Sequence, residues 1–136
     1  QADINRLEQN PNVTIRSSFP TQDEYYRAFA GLDVVLLPYS DRYQSSSSGI
    51  IIEAIELNVL PVVPRGSTME QIAKVANAPH IAIDEVSAEA IFAALGQYFI
   101  DAEDLLAMWE TSDLSAYYVE RPMTEFLQRE GLISTD

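Results

Sequence analysis

Cysteine is absent from this chain of 136 residues, which excludes disulfides and thiolate-bound metals. Positive charge is scarce too. Lys and Arg number 8 against 21 Asp and Glu, for a formal net charge of −13. Nucleic acid and anionic membrane surfaces are therefore poor partners. The same acidity implies a well-solvated surface. No apolar run approaches the roughly 20 residues that a membrane-spanning helix requires. No basic-then-apolar segment opens the sequence, so a cytoplasmic location is the expectation. There is no internal repeat, and no low-complexity tract beyond Ser45 to Ser48. The one histidine, His80, precedes a short apolar run and reads as a structural residue.

The hydrophobic fraction is 47%, enough for a core, and the length suits one domain over residues 1–136. Asp3 to Gln9 reads as a short helix with Ile4 and Leu7 on one face, and Asn10-Pro11-Asn12 as a turn. Val13–Arg16 alternates and is β-branched, which predicts a strand. Thr21-Gln-Asp-Glu24 is a capping box. It opens a helix that carries Tyr25, Tyr26 and Phe29 and ends at Gly31. Val34–Leu37 is a continuous apolar run, expected of a strand covered on both faces, and Pro38 stops it. A helix from about Gly49 to Leu57 offers Ile51, Ile52 and Ile55 to the core. Asn58 stands where the chain must leave that helix in a left-handed turn.

Leu60–Val63 is the next buried strand. Ser67-Thr-Met-Glu70 is a second capping box, with Ile72 and Val75 in the helix behind it. His80–Ile83 predicts a short strand. Ser87 caps a helix with Ile91, Leu95 and Tyr98 on one stripe. Asp101 caps another containing Leu105 and Trp109, and a last helix follows Pro122 and closes at Gly131. Strands alternating with helices predict an α/β fold: a Rossmann-like, three-layer parallel sheet. The helical tail is expected to pack on this sheet, its aromatics serving the core or a domain interface.

Chemistry concentrates between Asp33 and Pro64. A strand leads into the serine loop, which leads into the helix at Gly49. Backbone N–H groups of Ser47, Ser48, Gly49 and Ile50 would meet phosphate oxygens there, and Gly49 permits close approach. Glu53, just over one turn into the helix, could accept from the hydroxyls of a ribose. The acids Asp84, Glu85 and Glu89 read as a helix-entry cluster. Gly66-Ser67-Thr68 reads as a helix cap, and Arg42 and Arg65 as solvated loop residues.

The run DVVLLPY, a loop, then SGIIIEA and PVV resembles the C-terminal nucleotide-sugar-binding domain of GT-B glycosyltransferases of the retaining, group 1 type. The match runs from about Asn12 to Ile83. By the resemblance, Glu53 is the ribose-binding carboxylate, and Ser48, Gly49 and Ile50 face the diphosphate. The family motif carries an earlier glutamate that touches the donor sugar, and Ser45 stands in its place. Asn58 replaces the usual glycine.

The resemblance implies an NDP-sugar as partner and requires no metal or cofactor. It also implies an N-terminal acceptor domain and two further strands that this sequence lacks. Since it opens on Gln1, it is expected to be a piece of a longer protein, inactive by itself and with no catalytic residue assigned. The strands implied to be missing would leave a sheet edge open, and that edge allows a homo-oligomer. The alternative is a non-catalytic glycosyltransferase-like module for structure or partner contact. A flavodoxin-like regulatory domain shares the alternation but expects a lysine after a late strand, whereas the only lysine, Lys74, lies inside a helix.

Overall fold

The computed structural model describes residues 2–39, 49–98, 107–113 and 129–130. Among the described residues the elements run α1 (Ala2–Glu8), α2 (Gln22–Ala30), β1 (Val34–Leu36), α3 (Gly49–Glu56), β2 (Leu60–Pro64), α4 (Thr68–Val75), β3 (Ile81–Ile83) and α5 (Ala88–Tyr98). The strands form one parallel sheet in the order β1-β2-β3. The fold is thus α/β with a Rossmann-like pattern of crossovers, α3 linking β1 to β2 and α4 linking β2 to β3.

β2 is the centre. All five of its residues are buried, so both of its faces are covered, because alternate side chains point to opposite sides. It also carries two prolines, which lack the N–H that a sheet ladder uses. The register explains why both are tolerated. Leu60 donates to Asp33, and Val62 accepts from Leu37, so even-numbered positions serve β1 and odd-numbered ones face β3. Pairing with β3 starts at Val62, one residue after Pro61. Pairing with β1 has ended before Pro64.

The main core joins Ile51 and Ile55 of α3, Val62 and Val63 of β2, Met69 and Ile72 of α4, and Ile81 and Ile83 of β3. Trp109 belongs to this cluster at 7% exposure, so the tail does pack on the sheet at this point. The Asp113 N–H donates to the Ala76 carbonyl at 2.7 Å, tying the same segment to the end of α4. At the far end of the chain, Arg129 pairs with Asp23 and Glu130 with Arg27. The cation side chains are exposed, and such pairs add little stability.

Local signals account for the helix ends. The Thr21 and Ser67 hydroxyls accept from the N–H groups of Glu24 and Glu70 at 3.1 and 3.2 Å, and Ser87 accepts from Ala90 at 3.1 Å. Asn58 has φ of 57°, as its place in the sequence implies. Asn77 does the same at the end of α4, with φ of 53°. Each is followed by an N–H that reaches back five residues, Val59 to Ala54 and Ala78 to Ala73. That bond closes a Schellman-type terminus.

Two expectations need correction. Residues 13–16 form no strand. Among the described residues their β-branched alternation has no adjacent strand to pair with, and Ile15 is 43% exposed. β1 is not covered on both faces: Val34 and Val35 are half-buried and Leu36 is 45% exposed. β1 bonds to β2 through Asp33 and Leu37, so the amides of Val34 and Leu36 turn to the outer edge, where no described residue forms a strand. Gly31 does end α2, with φ of −82°. The helices expected after Asp101 and Pro122 fall mainly outside the described residues. Among the described residues no helix is long and apolar enough to cross a membrane.

Candidate functional site

The amino end of α3 and the carboxyl end of β1 meet at a cavity of about 600 Å³. This is the region where ligands bind in open parallel sheets, outside the carboxyl ends of the strands. The lining is mostly apolar and aromatic and includes Phe19, Tyr25, Leu36, Tyr39 and Ile50, with Arg16 as its cation. The cavity lies between β1 and the segment at residues 13–16, so the failure of that segment to pair is what opens it.

An aromatic cluster gives the wall its shape. Tyr25 packs edge-on against Phe19, with ring centres 5.5 Å apart, and lies 5.9 Å from Phe29. The Arg16 guanidinium sits over the Phe19 ring at 5.3 Å, within cation–π range. The Thr21 cap fixes the start of α2 and so sets the rotation of Tyr25 about the helix axis.

Glu53 is half-buried on α3. The Tyr25 hydroxyl donates to its Oε2 at 2.9 Å. Burial of the ring, then the Glu53 carboxylate beside it, push the Tyr25 hydroxyl up to about 12. Both effects disfavour a phenolate there. The hydroxyl therefore stays a donor throughout the neutral range and holds the carboxylate against α2, behind the Tyr25 ring that lines the cavity.

Of the five residues expected to bind a nucleotide sugar, the structure places three. Gly49 and Ile50 form the first turn of α3, Ile50 lines the cavity, and Glu53 lies behind Tyr25. Ser47 and Ser48 lie outside the described residues, as do Ser45 and Arg42. Arg65 pairs with Asp84 beyond the ends of β2 and β3. No group of three metal-ligating side chains occurs among the described residues.

Sequence reasoning missed Tyr25 as a partner of Glu53. The two are 28 residues apart, and the only local signal was the capping box that positions Tyr25. It also missed Arg16, which had been assigned to a strand.

Searches of known protein families, curated proteins and solved structures each returned no match.

Proposed function

We propose that this chain is the nucleotide-sugar-binding part of a glycosyltransferase, one that transfers a sugar from a nucleoside-diphosphate sugar to an acceptor. One observation carries the reading. α3 begins at the carboxyl end of β1, beside an aromatic cavity, with a half-buried carboxylate just over one turn inside it. A diphosphate suits the first-turn N–H groups of such a helix. Ribose hydroxyls suit Glu53, and a base suits the aromatic wall. Arg16 is the described cation lining this cavity, and the chain carries a charge of −13. Binding is therefore weak and strengthens at moderate ionic strength, as long-range repulsion is screened. The reading includes an acceptor-binding partner domain, so no sugar transfer is expected from these 136 residues.

A second reading has its own support. Tyr25 already holds Glu53 Oε2, and Ser45 stands where the resemblance asks for a carboxylate. Both features suit a glycosyltransferase-like module used for structure or partner contact.

Calorimetric titration with uridine and guanosine diphosphates separates the two. The first reading expects binding that weakens about tenfold or more in Glu53→Ala, the scale of one lost charge-assisted hydrogen bond. Binding unchanged by that substitution rejects the ribose role. Absence of binding to either nucleotide favours the non-catalytic module.

A further inference from the structure

A second cavity, of about 330 Å³, opens between α4, β3 and α5. Arg65, Glu70, Lys74 and His80 supply its polar lining, and none of them lines the aromatic cavity beside α3. In a chain with few cations, its single lysine and its single histidine share this one wall.

Glu70 forms the floor, at 3% exposure. Its Oε1 accepts from the Gly66 N–H at 2.9 Å and lies 3.5 Å from Lys74 Nζ. Its Oε2 lies 3.6 Å from His80 Nε2. His80 Nδ1 is 3.0 Å from the Ala78 carbonyl, so Nδ1–H donates to that carbonyl, and Nε2 faces the carboxylate, favourably when it carries a proton too. Arg65 is steadied at the rim by Asp84 and by the Ala82 carbonyl. The cavity thus has a cationic rim above a carboxylate. Burial pushes the Glu70 carboxyl up, but the Gly66 N–H, Lys74 and His80 outweigh it and hold the group below its ordinary range. It is therefore ionised at neutral pH.

This pairing of charges is selective. An anion without a proton is drawn by Lys74 and Arg65 but repelled by Glu70. An anion that keeps one acidic hydroxyl can donate it to Glu70 Oε2 and still accept from the rim. Hydrogen phosphate keeps such a hydroxyl above pH 7. Sulfate does not, nor does a phosphomonoester once its second proton is lost, at about pH 6. We propose that this cavity binds inorganic phosphate, with the P–OH donated to Glu70 and the remaining oxygens held by Lys74 and Arg65. The site is independent of the nucleotide-sugar reading.

The test is calorimetric titration of the whole chain at pH 8 with inorganic phosphate, sulfate and glycerol 3-phosphate. Phosphate should bind at least about tenfold more tightly than either of the others, the worth of one charge-assisted bond against one repulsion. Lys74→Ala should weaken phosphate about tenfold. Glu70→Gln should erase the preference, because an amide can donate to sulfate. Sulfate binding as tightly as phosphate would overturn the proposal. So would the absence of any heat with millimolar phosphate, or phosphate binding unchanged in Lys74→Ala. Should Glu70→Gln fail to fold, the anion preference of the native chain and the exposed Lys74 variant decide the matter by themselves.

Discussion

The Tyr25 hydroxyl and Glu53 Oε2, 2.9 Å apart, join α2 to α3. Because it ties two helices together, this bond bears on stability as well as on the site. Tyr25→Phe keeps the ring and removes the bond. It should cost about 1 kcal/mol, the net worth of such a hydrogen bond, measured by urea unfolding.

The same pair sets an alkaline limit. The folded Tyr25 value is raised to about 12 from its ordinary 10.0. The stability this group contributes is therefore fully present below pH 10 and is lost as pH rises toward 12. Tyrosinate absorbance should show a late-titrating group in the native chain that is lost in Tyr25→Phe. That variant should also show a flatter stability profile over this range.

Glu70 has the opposite sign. Its folded value is lowered from an ordinary 4.5. Its contribution is present above about pH 4.5 and fades as pH falls through the lower folded value. Acid unfolding followed by circular dichroism should therefore be less steep in Glu70→Gln than in the native chain, although that variant is less stable at neutral pH.

Asn58 and Asn77 close α3 and α4 in left-handed conformations. Asn58→Gly should be neutral or slightly stabilising, since glycine takes this φ without strain. Asn58→Val should destabilise by about 1–2 kcal/mol, the cost of a Cβ in that region. Thermal unfolding of the two variants is the direct comparison.

The outer edge of β1 invites pairing. Leu36 is 45% exposed and its amide turns away from β2. Self-association through this edge is expected, and Leu36→Lys should abolish it, since charge blunts an edge strand. Light scattering at high concentration checks both. A monomeric native chain would refute the expectation.

Local chemistry in the sequence was enough to place the caps at Thr21, Ser67 and Ser87, the left-handed exit at Asn58 and the buried run at Leu60. Each depends on contacts within a few residues, or on a run so apolar that only a central strand accommodates it. The parallel alternation followed from the same signals. The exit at Asn77 was missed, although a proline follows shortly after it, as is common beyond a helix end.

Tertiary structure decided the rest, because a strand is defined by its neighbour. Residues 13–16 have the pattern of a strand but, among the described residues, no strand to pair with, so they stand off beside the cavity at β1. The prolines of β2 are acceptable only because of the register of β1 and β3. Tyr25 meets Glu53, and Glu70 meets His80, only because α2 packs against α3 and β3 returns beside α4. Those distances in space have no counterpart in sequence spacing. Composition and periodicity determined which segments fold, and three-dimensional packing alone determined which polar groups share a cavity.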